Sequence, residues 1–446
     1  MSKASLVLFC FLVCSLGSSL WGTLAQDPPR KVGLEDAKKF AIEHNLEVLS
    51  LRQGLDESRA KFERSKSAFY PKLGLVGGVD TELASQANRT AGVGYLHTTL
   101  NVFSGMEDSY KKTIAEIGVE KAQVKLKRTE FRVGLDVEKL FHGYLYKKQA
   151  LALKGEQLEL NESHMKMAKQ RRSSGITAES DVMEFELKES LIRSDTLLLE
   201  QEIEENRSNI KRLLGEEVGS KIEPVGYLQH QHLKGSLMDN LQKIQKESEV
   251  VVTASKDLEI ATIESKLWRS KWLPKLELDG RAGYLPLDER PPQGGASVRG
   301  MVLAKFDLFS GFDTAWEKSQ QESNRLKSEA LLKDAILSAV TQTEIAFRKI
   351  HTIQARVDLE EENELRARKY YKSVLSEYRR GLKNSADLKV AAEGVFDACL
   401  KRETFKYDFL VQRIELERAL GGPVATELVA DEHELKEHTN KKKKEP

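Results

Sequence analysis

Few residues in this chain have the types and spacing that chemistry requires. His230, Gln231 and His232 bring two imidazoles close together, which could suggest a metal ion, but no cluster of further ligands accompanies them. We therefore expect this segment to be a solvated loop. The sequence contains no glycine-rich phosphate loop, nucleophile elbow or paired metal-ligand motif. It predicts no catalytic residues, no metal site and no cofactor.

One acidic position occurs twice in equivalent surroundings. Asp387 lies six residues after Gly381, and Asp181 holds the same place after its own glycine. A carboxylate at such a point suits the first turn of a helix capped by Asn384 or Ser385, because it complements the helix dipole. A role in binding or filtering ions would require several such carboxylates to meet.

The elements around these aspartates are duplicated. Markers in the first half return 206 residues later: Phe103-Ser104-Gly105 as Phe309-Ser310-Gly311, Gly175 as Gly381, Asp181 as Asp387, and Gly215 as Gly421. A constant offset over a long stretch indicates two rigid units of equal length. Each unit is predicted to contain a helix, a proline stop, two strands, a very long helix, a glycine turn and a shorter helix.

The predicted boundaries follow from this order. Residues 1–25 form a signal peptide, because a basic start and a short apolar stretch precede small residues. Residues 26–235 form the first repeat, with a helical hairpin at 105–215 and a linker at 216–235, and residues 236–422 form the second, with a hairpin at 311–421. Residues 423–446 are predicted to be a charged, disordered tail.

Composition excludes several classes of protein. Beyond the signal peptide only Cys399 remains, so no internal disulfide is expected. The net charge of +1 gives no indication of nucleic acid binding. No run of 18 apolar residues follows the signal peptide. Any contact with a membrane is therefore expected to be made by strands.

Two predicted strand pairs alternate in polarity. The strands lie at about 73–80 and 93–103, joined by the polar segment 80–91, and at about 276–284 and 298–309. Before each Phe-Ser-Gly one face is apolar or nearly so, and the other is polar in its middle. The apolar set is Leu96, Thr98, Leu100 and Val102, matched by Val302, Ala304, Phe306 and Leu308; the other is Tyr95, His97, Thr99 and Asn101, matched by Met301, Leu303, Lys305 and Asp307.

This alternation is typical of membrane-barrel strands, although a half-buried soluble hairpin would look similar. Four strands cannot close a membrane barrel, since the smallest known has about eight. If these strands span a membrane, several chains must share one barrel.

In this order and spacing, the chain resembles the TolC-like outer membrane efflux protein family over nearly all of residues 32–422. The resemblance rests on the Pro71 and Pro274 turns, on the two Phe-Ser-Gly junctions, and on the duplicated glycine-to-aspartate stretches. It implies a mainly α protein with membrane β structure: a homotrimer with a 12-stranded β-barrel in outer membrane lipid and an α-helical barrel in the periplasm. It also implies a passive exit duct for small molecules or exported proteins, with a periplasmic adaptor protein and an inner-membrane transporter as partners.

The same resemblance implies sites. Tyr378, Lys383 and Asp387 match the family's channel constriction, where three copies of Asp387 would form an acidic ring. Some members carry a second acidic residue one turn later, where this chain has Val390. The hairpin tips are the implied adaptor contacts: Gly175, Ile176, Thr177, Gly381 and Leu382. The alternative hypothesis is an exported periplasmic coiled-coil scaffold or adaptor with a small soluble β-domain.

Overall fold

A computed structural model of the chain describes residues 30–84, 87–216, 220–228, 231–233, 248–290, 295–424 and 426–428. The predicted signal peptide, His230 and the tail from residue 429 onward lie outside the described residues.

The described residues form seven α-helices. They are α1 (Leu34–His44), α2 (Leu46–Lys66), α3 (Glu107–Ser173), α4 (Glu179–Leu214), α5 (Glu249–Leu267), α6 (Asp313–Arg379) and α7 (Ser385–Leu420). None of these helices combines the length and apolar character that crossing a bilayer requires.

The two helical hairpins have identical lengths. Helices α3 and α6 each contain 67 residues, and α4 and α7 each contain 36. At about 1.5 Å per residue, each long helix extends roughly 100 Å. Each long helix packs along its shorter partner, and α3 also packs against α2, α5 and α7. The predicted duplication of two rigid units is therefore confirmed.

In the part of the chain that the structure describes, the strands form one main sheet and two small ones. The strands are β1 (Arg30–Val32), β2 (Lys72–Ala84), β3 (Ala87–Ser104), β4 (Ile222–Pro224), β5 (Gln231–Leu233), β6 (Lys275–Tyr284), β7 (Ser297–Lys305) and β8 (Thr426–Leu428). The main sheet has the order β2-β3-β6-β7 with every neighbouring pair antiparallel, so both repeats contribute to it.

Two predicted strand boundaries were wrong. The segment 80–91, expected to be a polar connection, is almost entirely strand, because β2 and β3 continue to pair up to Ala84 and Ala87. In the second repeat β7 ends at Lys305 rather than at 309. Its partner β6 begins at Lys275, directly after Pro274, and proline lacks the N–H that further pairing would need.

The linker and the tail are also more ordered than predicted. Strand β4, in the predicted linker, pairs in parallel with β1, and β5 pairs antiparallel with β8 in the predicted tail. His232 lies on β5, and its Nδ1 lies 2.6 Å from Nε2 of Gln354, so it is not part of a solvated loop. The linker and the end of the second repeat are thus tied to the helices.

The largest apolar core lies midway along the helices, near the two small sheets. Phe141 and Tyr144 of α3 pack there with Ile350 of α6 and Phe409 of α7. A second, smaller core lies near the hairpin tips. The helices are therefore fixed to one another at mid-length and near the turns.

At the two junctions between strand and helix, equivalent glycines should differ in how much stability is lost when each is replaced by alanine. Gly105 and Gly311 both have positive φ, 64° and 65°, but a Cβ on Gly105 would lie 2.5 Å from the carbonyl oxygen of Ser270, whereas Gly311 has open space. Gly311→Ala should cost about 1 to 2 kcal/mol for the left-handed backbone. Gly105→Ala should cost about 1 to 3 kcal/mol more, because the backbone must move.

The measurement is the apparent thermal midpoint of the helical circular dichroism signal for the two variants of the purified protein. Equal shifts would contradict the close approach at Gly105.

Candidate functional site: the sheet and the hairpin tips

One face of the main sheet is apolar and largely uncovered. The register places Leu100 of β3 beside Leu278 of β6, and Leu278 beside Val302 of β7. The face continues onto β2, and several of its side chains are 72 to 85% exposed: Leu73, Leu75, Val79, Val298 and Val302. An exposed apolar surface of this extent is unusual for a protein face that meets water.

The predicted alternation is confirmed for the paired part of these strands and interrupted at one point. The register shifts between Asn101 and Phe103, so Val102 is the extra residue of a β-bulge. Phe306, predicted on the apolar face, lies just beyond the end of β7 and is half exposed.

The opposite face carries several ionisable side chains that contact one another. His97 Nε2 lies 2.7 Å from Asp279 Oδ2, and Arg281 Nε donates to Asp279 Oδ1 at 3.0 Å. Closer to the helices, Lys305 Nζ donates to Glu277 Oε2 at 2.7 Å. The sheet therefore has one apolar and one polar face, as the sequence predicted.

Both hairpin tips are built in the same way. Gly175 and Gly381 have φ of 71° and 81°. The amide nitrogens of Ile176 and Leu382 each bond to a carbonyl oxygen five residues earlier, which is the Schellman arrangement that closes a helix at glycine. In this motif the apolar residue after the glycine often packs back onto its helix. Here Ile176 and Leu382 are 63% and 69% exposed, so both tips present an apolar side chain outward, while Thr177 is half buried.

The structure confirms that Asp387 lies in the first turn of a helix capped by Asn384, one of the two predicted capping residues. Asn384 Oδ1 accepts from the backbone nitrogen of Asp387 at 2.9 Å, and Asp387 Oδ2 accepts from that of Asn384, which forms a capping box. Lys383 Nζ lies 3.8 Å from Asp387 Oδ2. In the first repeat, α4 begins after Ala178, whose side chain offers no cap. The two repeats therefore differ at this turn despite their matching backbones.

Tyr378 lies apart from that pair. It is only 1% exposed and packs between the two hairpins. The guanidinium of Arg171, on α3, lies 4.4 Å from the centre of its ring and donates to its backbone carbonyl oxygen at 2.5 Å. The structure thus brings Lys383 and Asp387 together and places Tyr378 in a contact between the repeats.

Arg171 is the residue here that sequence reasoning missed. In the sequence it is one of two adjacent arginines shortly before Gly175, a place where a cation complements the end of a helix dipole. Its exact counterpart in the second repeat is Glu377, so the duplication offered no marker for it. The contact depends on how the two hairpins pack, which a local pattern does not encode.

A second link between the hairpins involves a buried histidine. His164 of α3 is 2% exposed, its Nε2 lies 2.9 Å from the hydroxyl of Tyr371 on α6, and its ring lies against Phe185. Burial lowers the pKa of His164 to about 4. The imidazole is therefore neutral at physiological pH.

Neither a metal-ligand cluster nor an ionised thiol is found among the described residues. No group of three or more His, Cys, Asp or Glu side chains among them could hold a metal ion. Burial, reinforced by Glu364, raises the pKa of the Cys399 thiol to about 11, so it is protonated at neutral pH.

Comparison with known proteins identifies the class. The profile described as "Outer membrane efflux protein" matches residues 39–216 and 240–422, which is well over half of the chain. The chain belongs to this family. It is a family of efflux proteins and not of enzymes. The family predicted from the sequence is confirmed, and with it an efflux channel located in the outer membrane and extending into the periplasm.

Individual relatives are distant in sequence and close in fold. The outer membrane protein TolC of Vibrio cholerae is 20% identical over 423 residues, which cover 91% of this chain and 92% of that protein. The outer membrane protein VceC of Vibrio cholerae superposes with a TM-score of 0.77 at 14% identity, covering 87% of this chain and 96% of VceC. The open state of the MtrE outer membrane channel of Neisseria gonorrhoeae superposes with a TM-score of 0.74 at 14% identity, covering 87% of this chain and 89% of MtrE.

The buried histidine predicts acid sensitivity of the link between hairpins. An unfolded histidine takes up a proton near pH 6.5, whereas His164 does so only near pH 4. Between these values the unfolded state binds more protons, so stability that is present above pH 6.5 should be lost as the pH falls towards 4. The readout is the urea midpoint of the helical circular dichroism signal across this range.

His164→Phe should reduce the decline in the urea midpoint, and buried His142, whose pKa is also lowered to about 4, should account for part of the remainder. Tyr371→Phe is the control: it removes the hydrogen bond but keeps the titrating ring, so it should leave the pH slope unchanged. A slope that is the same in His164→Phe as in the native protein would refute this account.

Proposed function

We propose that three copies of this chain assemble into one outer membrane exit duct, closed through the free edges of β2 and β7. The observation that carries this proposal is the four-stranded sheet, which has one exposed apolar face. Among the described residues, no further strand pairs with either of its edges. In hydrocarbon, unpaired backbone groups cost several kcal/mol each, so a sheet must close on itself. Three copies would supply the 12 strands of the predicted barrel.

In this assembly the polar face lines the lumen, and the long helices extend the duct into the periplasm as a barrel. The duct itself is passive. Its partners are a periplasmic adaptor protein and an inner-membrane transporter that supplies the energy. The exposed Ile176 and Leu382 support the predicted role of the tips as adaptor contacts, since they offer paired apolar anchors on rigid turns.

We propose that the predicted channel constriction forms where the second-hairpin tips of three chains meet. Asp387 and Lys383 are both 38% exposed at their side chains, so three symmetric copies could meet at a narrow axis. Tyr378 would act differently from a lining residue, because it is buried against Arg171 and positions the turn from behind.

The assembly can be tested by fractionation and electrophoresis. The protein should be extracted from outer membranes as a species that migrates as a trimer until heated. Recovery as a soluble periplasmic protein would instead support the alternative of a scaffold or adaptor.

The facing of the strands gives a sharper prediction. Val302 lies on the apolar face near the middle of β7, and the neighbouring Met301 lies on the polar face. Val302→Arg should cost about 2 to 4 kcal/mol near the bilayer midplane and reduce assembled trimer in the outer membrane. Met301→Arg should assemble normally, because its side chain points to water. The reverse result would mean that the faces are assigned the wrong way round.

If the constriction lies on the second hairpin, the two equivalent aspartates should differ in their effect on ion selectivity. In planar bilayers, Asp387→Asn should reduce the preference for cations, because it removes one negative charge per chain at the narrow axis. Asp181→Asn should do less, since the constriction is proposed on the second hairpin.

Asn384→Ala provides a further control, because it removes a cap worth about 1 kcal/mol without changing charge. If Asn384→Ala lowers the cation preference as much as Asp387→Asn does, the effect comes from the loss of the helix cap, and Asp387 has only a structural role.

A further inference from the structure

The chain that follows β6, as far as Arg290, leaves the plane of the sheet and folds onto its polar face. Strand β6 ends at Tyr284, at the end of the sheet remote from the helices. The next residue, Leu285, is only 1% exposed. A short 3-10 turn follows at Leu287–Glu289 and lies against β2. Since β3 separates β2 from β6 in the sheet, the chain must cross over β3 to reach it. We call Leu285–Arg290 the inward segment.

The bend into this segment is built into the backbone. Gly283 has a φ of 137°, and a Cβ there would lie 2.4 Å from the carbonyl oxygen of Gly94 and 2.8 Å from Cα of Tyr95. Only glycine combines this conformation with such a close approach to β3. By contrast, β2 and β3 stay paired up to Ala84 and Ala87, well beyond the level of Tyr284.

Charged groups hold the segment on the polar face. Arg281 Nη1 donates to both carboxylate oxygens of Glu289, at 2.8 and 3.0 Å. Arg299 Nη1 lies 3.4 Å from Glu289 Oε1. Arg290 donates to the carbonyl oxygens of Leu285 and of Gly92 on β3. Arg281 and Arg299 both project from the polar face, so Glu289 fixes the segment above it.

We propose that the inward segment narrows the outer mouth of the duct and sets the size of molecules that pass between the lumen and the exterior, with Glu289 as the residue that positions it. This inference rests on the proposed barrel, in which three inward segments would face one axis at the extracellular end. It concerns the end opposite to the hairpin tips.

The test measures access from outside intact cells, so it does not depend on the periplasmic end. Thr99 lies on the polar face, closer to the helices than the inward segment. Thr99→Cys would report the lumen, and Thr90→Cys, on the protruding β2–β3 hairpin, would report the surface. The probes are maleimides carrying polyethylene glycol chains of increasing length. Buried Cys399 should stay unlabelled in both.

In the native background, Thr99→Cys should react with small maleimides and exclude large ones. Glu289→Gln should raise the labelling rate by large reagents about tenfold, because it removes the negative charge that holds Nη1 of Arg281 and Nη1 of Arg299. Glu277→Gln is the matched control: it breaks the Lys305 pair on the same face near the helices and should leave the size limit unchanged.

Equal access of large maleimides with and without Glu289→Gln would overturn the role of the inward segment while leaving the barrel intact. Failure of even small maleimides to label Thr90→Cys on intact cells would instead overturn the proposed topology, and this inference with it. Trimers should migrate normally in both glutamine variants.

Discussion

Equal length of the two long helices is the constraint on which both ends of the molecule depend. Each has 67 residues, and each leads from a strand to a turn that is identical in backbone. Because α-helices do not stretch, a difference of even one turn, about 5 Å, would displace one hairpin tip from the other or pull one strand pair out of register. The joining of β3 to β6 in one sheet and the packing of Arg171 against Tyr378 near the tips require the same equality.

The sheet adds to this rigid frame one apolar and one polar face. Alternation along strands places Leu278 and Val302 on one face and Asp279 and Met301 on the other, and the antiparallel register extends this division over all four strands. The polar face is itself ordered, since Lys305 of β7 pairs with Glu277 of β6 and His97 of β3 contacts Asp279 of β6. Such cross-strand contacts help to fix the register, because a slip of one residue would move the charged side chains of the slipped strand to the apolar face.

The sequence predicted what repeats or alternates. The duplication, the hairpins, the glycine turns at Gly175 and Gly381 and the capped first helical turn at Asp387 all follow from local spacing and turn chemistry. It did not predict contacts between distant segments. The pairing of β5 with β8 depends on where the end of the second repeat returns, and the end of β7 depends on its partner's Pro274 rather than on its own residues. The inward fold at Gly283 was likewise hidden, because a lone glycine in a strand pattern does not say which way the chain turns.

The same capping box bears on how charge would be arranged at the proposed constriction. Asp387 contributes to the helix end through Oδ2, which also lies nearest to Lys383. Each chain therefore brings a cation and an anion to this level, and three chains would form a ring of pairs rather than a ring of bare carboxylates. Such exposed pairs are weak, so each side chain can turn towards a passing ion at little cost. In the first repeat Thr177 and Glu179 stand where Lys383 and Ser385 stand in the second, so the balance of charge differs between the hairpins although their backbones match. A duplicated scaffold can in this way carry two different electrostatic surfaces on identical turns.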